Sequence, residues 1–223
     1  MVPTTPITDA AAWDSRYRNA AEAGRREWAA EPHGELRRVA DALTPGRALD
    51  LACGDGRNAA WLSRRGWSVT AVDFSAEALE LARSHAPEGV EWVHADVAAW
   101  RPDGEYDLIT ITYLQLPAPT MRSVLARASA WLAPGGTLLV ISHDVENLAA
   151  GAPGPRNPAV LHTPELLGGA VEGLHVVAAE RFRRDTVADP EHPADHATEA
   201  IDTVLVAIRQ VPGVRTPTPK EAR

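Results

Sequence analysis

The chain has 223 residues, 45% of them apolar and 23% charged, with a net charge of −8, a single cysteine and 22 basic residues, of which only Lys220 is lysine. This length and apolar share suit one sizeable core and exclude dominant disorder, and one cysteine excludes an internal disulfide framework. The acidic balance argues against a protein that wraps nucleic acid, and the near absence of lysine removes Schiff-base chemistry and the lysine of a phosphate-binding loop.

No apolar run approaches the roughly 20 residues of a membrane span. No basic segment followed by an apolar one opens the chain as a secretory signal would. With the lone Cys53, these features lead us to expect a cytoplasmic protein that does not engage a membrane. Helices are predicted at Trp13 to Gly24 and Glu35 to Leu43, separated by Pro32. A strand from Arg47 to Ala52 runs into a Gly-Asp-Gly turn and a helix from about Arg57 to Arg65. Trp67 to Val72 is the second strand, Ser75 caps a helix from Ala76 to His85, and Val90 to His94 is the third strand. Tyr106 to Thr112 is the fourth strand, and Thr120 to Leu132 a helix ended by Pro134-Gly135-Gly136. The fifth strand covers Thr137 to Ser142 and leads to a long loop Leu148 to Pro158, followed by a short helix capped by Thr163. Leu174 to Phe182 and Ala200 to Arg209 close the pattern as two strands without a helix between them. Strands alternating with helices imply a mostly parallel α/β sheet of seven strands, covered on both faces, with antiparallel pairing at one edge.

The segment Asp50-Leu51-Ala52-Cys53-Gly54-Asp55-Gly56 joins strand to helix, and Gly54 and Gly56 permit a tight turn against which a ligand can lie. Asp73 ends the next strand, where a carboxylate can accept the hydroxyls of a ribose. A dinucleotide fingerprint would place a third glycine where Ala59 stands, and Asp55 is poorly suited to a pyrophosphate. A ligand with a ribose, no phosphate and a cationic centre fits better, and an NAD dehydrogenase fits worse.

Asp50 to Gly56 followed by Val72-Asp73 resembles motifs I and II of class I S-adenosylmethionine-dependent methyltransferases. His94-Ala95-Asp96-Val97 resembles their third-strand motif, and Leu132 to Gly136 the turn before their fifth strand. One departure is Ala52, where many members carry glycine. The resemblance implies a Rossmann-like, doubly wound fold, with S-adenosylmethionine as cofactor and S-adenosylhomocysteine as product. It puts Gly54 and Gly56 at the methionine moiety, Asp73 at the ribose, and Asp96 with Val97 at the adenine. It also draws Asp50, Ala52, Cys53, Asn58, Phe74 and Thr112 into the cofactor site. Cys53 sits there as a small filler rather than a nucleophile.

The acceptor is expected over the carboxyl ends of the fourth and fifth strands, where Tyr113, Gln115, His143, Asp144 and Asn147 cluster. His143 is the candidate general base, with Tyr113 beside it, since an imidazole titrates near neutrality. Alternatively, His143 and Asp144 only cap the following turn. Trp13, Tyr17 and Trp28 resemble the leading segment of the tellurite-resistance and thiopurine methyltransferase-like families, where it helps form the acceptor pocket. On spacing alone, Trp13 and Tyr17 share a helix face and suit core packing. The expected organisation is an N-terminal arm (residues 1–34), a methyltransferase domain (35–210) and a tail (211–223). The loop Gly151 to Pro158 is a candidate second wall of the pocket. Arg181, Arg183 and Arg184 either attract an anionic acceptor or decorate an edge strand. Prolines near His192 and His196 argue against a metal-binding helix, so no metal is expected.

The expected activity is methyl transfer to a small molecule, a thiol or chalcogen nucleophile first and an oxygen or nitrogen acceptor second. The non-enzymatic alternative is an S-adenosylmethionine-binding sensor or partner subunit. A monomer or homodimer is expected, with no nucleic-acid partner.

Overall fold

A computed structural model of the chain describes residues 9–24, 31–86, 88–152, 154–185 and 199–211. In chain order the elements are α1 (Ala10–Glu22), α2 (Gly34–Asp41), β1 (Arg47–Leu51), α3 (Arg57–Arg64), β2 (Ser68–Asp73), α4 (Ala76–His85) and β3 (Val90–His94). Then follow β4 (Tyr106–Thr112), α5 (Ala118–Ala130), β5 (Leu132–His143), α6 (Asn147–Ala150), α7 (Pro164–Gly168), β6 (Leu174–Asp185) and β7 (Glu199–Arg209). The predicted helix termini hold where capping chemistry sets them: Ser75 caps α4 by accepting the Ala78 N–H, and Thr163 caps α7 by accepting that of Leu166.

The seven strands form one sheet in the order β3-β2-β1-β4-β5-β7-β6. The first five run parallel, and β7 pairs antiparallel with both β5 and β6. The expected antiparallel pairing therefore falls at the β5-β7-β6 end, with β7 slotted between β5 and the outer strand β6. The order reverses between β1 and β4, and the crevice at their carboxyl ends is where open α/β sheets bind ligands.

Alternate residues of the central strands feed two cores, as a sheet covered on both faces requires. Leu49, Leu51, Ile109 and Ile111 pack with Met121 and Leu125 of α5. Ala48 and Leu108 face the other way, onto Leu36 and Val39 of α2 and Leu62 of α3. Two expectations change. The strand β5 begins at Leu132 rather than Thr137, so Pro134-Gly135-Gly136 lies inside it and marks an irregularity in register with β4 between Tyr106 and Leu108. The predicted loop after β5 opens with the short helix α6. No described helix is long and apolar enough to cross a membrane.

Candidate active site

The turn after β1 is left-handed on both sides of Cys53, at Ala52 with φ 59° and at Gly54 with φ 56°. Alanine in this region costs about 1 kcal/mol relative to glycine, so the departure noted at Ala52 is one of energy rather than of shape. The turn is held by the Cys53 N–H donating to the Val72 carbonyl at 3.1 Å and the Gly56 N–H donating to the Cys53 carbonyl at 3.0 Å. Gly56 begins α3 at φ 77°, and a Cβ there would lie 2.5 Å from Cη2 of Trp92. Its missing side chain thus lets α3 approach β3, and Gly56 does not line the pocket as expected.

Asp73 ends β2 almost buried, and its carboxylate accepts the N–H of Gly54 at 2.8 Å and that of Ser75 at 2.9 Å. Burial raises its pKa, and these backbone donors pull it back down. The bonds tie the glycine turn to the β2 exit and leave the carboxylate on the lining of an open pocket. Ala52, Cys53, Gly54, Asn58, Phe74 and Thr112 line the same pocket. Asp96 and Val97 line it as well, with Asp96 Oδ1 accepting the Ala98 N–H at 2.8 Å. Asn58 is buried and donates from Nδ2 to Thr112 Oγ1 at 2.9 Å, while its Oδ1 accepts nothing among the described residues. Burial pushes the Cys53 thiol well above its ordinary pKa, which suits a filler and not a nucleophile.

Asp50 does not reach the pocket. It lies fully buried behind the turn, where Oδ1 accepts the Thr110 hydroxyl at 2.8 Å and burial raises its pKa to about 7. From the N-terminal arm, Trp13 and Tyr17 both line the pocket. Asp14 between them accepts the Ser75 hydroxyl at 2.6 Å and the Glu77 N–H at 3.2 Å, which docks α1 on the N-terminus of α4. Trp28, His192 and His196 lie outside the described residues.

Where the acceptor is expected, Tyr113 and Gln115 line the pocket, together with Leu114 and Leu116. The expected base does not reach it. His143 is nearly buried beneath the Tyr113 ring, their centroids 4.5 Å apart and their planes 29° from parallel. Tyr113 donates its hydroxyl to Asp202 Oδ2 at 2.8 Å, and burial and that carboxylate push its pKa well above the ordinary phenol value. A phenol so held is no base near neutrality, which corrects the catalytic role expected of Tyr113.

Asp144 and Asn147 are also corrected, because their polar groups are consumed inside the fold. Asp144 accepts the Thr203 hydroxyl at 2.6 Å and the Glu146 N–H at 2.9 Å, and pairs with Arg181 at 3.1 Å. Asn147 exchanges two bonds of 2.7 Å with the backbone of Ile201, in effect extending the pairing of β7. The loop beyond α6 lies against the His143 ring, where a Cβ on Gly154 would come within 3.4 Å, and its described residues form no pocket wall. The arginines near the end of β6 are all ion-paired: Arg181 as above, Arg183 with Glu199 at 3.2 Å, and Arg184 with Asp202 at 2.9 Å. Asp202, His33 and Arg184 form a cluster that periodicity could not announce, since the three lie on β7, before α2 and on β6.

Residues 48–136 match the family model of a methyltransferase domain. An uncharacterized methyltransferase of Mycobacterium bovis is 34% identical over 129 residues, which is 56% of this chain and 64% of that protein. Among solved structures, the fold is similar to that of a protein studied in the conversion of a disulfide bond into a thioacetal group during echinomycin biosynthesis, with a TM-score of 0.68 at 21% identity, covering 92% of this chain and 93% of that one. It is also similar to TehB from Haemophilus influenzae, with a TM-score of 0.67 at 18% identity, covering 80% and 63%. Further matches include ubiquinone-biosynthesis O-methyltransferases and an N-methyltransferase, so the matches do not single out one acceptor atom.

Residues 48–136 thus match a methyltransferase domain, and they lie in a Rossmann-like sheet whose glycine turn borders the pocket. The chain spans less than two thirds of the first curated relatives it matches, between 38% and 64% of their lengths.

Proposed function

We propose that this chain transfers the methyl group of S-adenosylmethionine to a small-molecule acceptor, and that the acceptor atom is a soft nucleophile such as a thiolate, selenide or telluride. One observation carries the acceptor class: among the described residues no imidazole lines the pocket, and Tyr113, on the acceptor side, is held as a neutral phenol. A thiol ionises by itself near pH ~8.5 and needs little help from a protein base.

The pocket's donor set fits the cofactor. The Asp73 carboxylate suits a vicinal diol, Asp96 and Val97 suit an adenine edge, and the unpartnered Asn58 Oδ1 suits a protonated amine. Three aspartates against one arginine on the lining make it favourable to a cation. When bound, S-adenosylmethionine supplies a methyl group activated by its sulfonium and leaves as S-adenosylhomocysteine. The residues' own contribution is to fix the geometry: Trp13 and Tyr17 cover the pocket from α1, and the segment Tyr113 to Leu116 forms the wall facing the acceptor. Holding two reactants at near-attack distance is worth up to ~7–11 kcal/mol.

The test is S-adenosylhomocysteine release with thiols, selenide and telluride set against phenols, carboxylates and amines. We expect turnover with the soft acceptors, rising with their own ionisation and surviving His143→Ala. Turnover confined to oxygen or nitrogen acceptors, and lost in His143→Ala, would sink the soft-acceptor reading. That second reading is supported by the O- and N-methyltransferases among the matches.

A further inference from the structure

Outside the cofactor pocket, the carboxylate of Asp202 gathers an unusual number of partners among the described residues. It lies fully buried on β7, opposite His143 of β5 and Phe182 of β6. Its Oδ2 receives the Tyr113 hydroxyl at 2.8 Å and Arg184 Nε at 2.9 Å, with His33 Nε2 at 3.4 Å. Nδ1 of His143 stands 3.9 Å from Oδ1. His33 is held in turn by the Glu35 N–H, which donates to Nδ1 at 3.2 Å, so the imidazole presents Nε2–H to the carboxylate. His33, Arg184 and His143 outweigh the cost of burial and hold the acid ionised, with a pKa lowered to about 2.

What this group grips is the pocket wall. Tyr113 leaves β4 at φ 57°, a conformation few non-glycine residues adopt, with its N–H donating to the Ile141 carbonyl at 2.7 Å. One face of its ring stacks on His143, and the Arg184 guanidinium lies 5.8 Å from its centroid. Such strain persists where the surroundings over-determine it, and it tends to gather at working sites. We propose that Asp202 is a positioning residue of the acceptor site, which anchors the Tyr113 ring as a rigid wall and joins that wall to α2 through His33 and to β6 through Arg184. This rests on the methyl-transfer reading for its consequence, though not for the contact itself.

The experiment uses the full chain with Tyr113→Phe, Asp202→Asn and the double variant. In kinetics with an acceptor found as above, each single change lowers kcat/KM for the acceptor about tenfold, while affinity for S-adenosylmethionine stays within about threefold. Because Asp202 acts through Tyr113, the double variant is no worse than Tyr113→Phe alone. Additive losses, or an Asp202→Asn enzyme with normal kcat/KM, overturn the proposal. A second readout needs no turnover. The three tyrosines, Tyr17, Tyr106 and Tyr113, are replaced by 3-fluorotyrosine and followed by fluorine NMR, with the Tyr113 signal assigned from Tyr113→Phe. That signal should resist ionisation beyond free fluorotyrosine in the wild type and titrate at lower pH in Asp202→Asn. A signal unmoved by Asp202→Asn defeats the anchoring claim even if methyl transfer is confirmed. A moved signal in a protein that methylates nothing defeats the functional reading alone. Should Asp202→Asn fail to fold, Tyr113→Phe, which removes one hydroxyl, decides by itself: an unchanged kcat/KM overturns the proposal.

Discussion

Asp73 joins three chemistries in one side chain. It ends β2, it binds the N–H of Gly54 and so holds the glycine turn, and its carboxylate faces the pocket. Charge-assisted hydrogen bonds are worth about 1.5–3 kcal/mol each, so Asp73→Ala should weaken S-adenosylmethionine binding at least about tenfold in a calorimetric titration. The Asp73→Asn variant, which keeps one acceptor oxygen, should lose less; equal affinity in all three proteins would remove Asp73 from the site. Gly56 is the contrasting residue. It sits in the same turn and has the sequence signature of a ligand contact, yet its lack of a side chain serves the Trp92 contact between α3 and β3. A glycine pattern records where backbone must come close, and leaves open whether a ligand or another strand is the neighbour.

At the scale of elements, the site depends on how α1 is docked. Of the two rings expected to share a face, Tyr17 is buried with Ala20 and Trp13 is half-buried, but the docking is polar: Asp14 reaches the first turn of α4, and Arg18 of α1 meets Glu77 of α4, with Nε 3.2 Å from Oε1. Negative charge at a helix N-terminus is favourable by a few tenths to about 1 kcal/mol. We expect Asp14→Ala to cost about 1 kcal/mol of stability and to weaken S-adenosylmethionine binding severalfold, because α1 carries Trp13 and Tyr17 to the pocket. Melting curves and cofactor titration on the same preparation check this. Lost stability with unchanged affinity would make α1 a packing helix only. On the other side, the loop between α6 and α7 is tied down by His162, which accepts the Ser142 hydroxyl at 2.6 Å and donates to the Leu116 carbonyl at 3.0 Å. Burial lowers its pKa and keeps the ring neutral, so this tie also steadies the Leu116 end of the pocket wall.

At the scale of the molecule, two buried acids give opposite pH dependences. Asp202 has a folded pKa of about 2, below its unfolded value near 4. Its stabilisation, on the order of 2 kcal/mol, is present above about pH 4 and is lost as pH falls through 2. Asp50 has a folded pKa of about 7, raised above the same unfolded value. The folded state therefore holds its proton longer, and stability on the order of 4 kcal/mol is lost as pH rises from about 4 to 7. Thermal melts of Asp50→Asn against wild type should agree near pH 4 and diverge in the variant's favour by neutrality. A difference that does not change with pH would mean that Asp50 is not protonated in the folded protein.

Much of the cofactor half is legible in the sequence. The strands β1 to β4, and the acids Asp73 and Asp96 at or just beyond the ends of β2 and β3, follow from local features: apolar runs of strand length, glycine turns and a serine cap at α4, all of which act within a few residues. The pocket end of α1 and the segment after β4 are legible too, since Trp13, Tyr17, Tyr113 and Gln115 do line the pocket. The polar exit from β5 suggests an acceptor site for the same local reason, and there the expectation fails. His143, Asp144 and Asn147 are polar because β7 and the following loop consume them, through Asp202, Thr203 and Ile201, all more than 50 residues away in the chain. Sequence by itself determined which segments are buried and where backbone turns sharply, because burial and turning are written in residue type and period. Which buried polar group satisfies which was decided only when β7 entered between β5 and β6, since a hydrogen bond between distant residues leaves no period for a sequence to display.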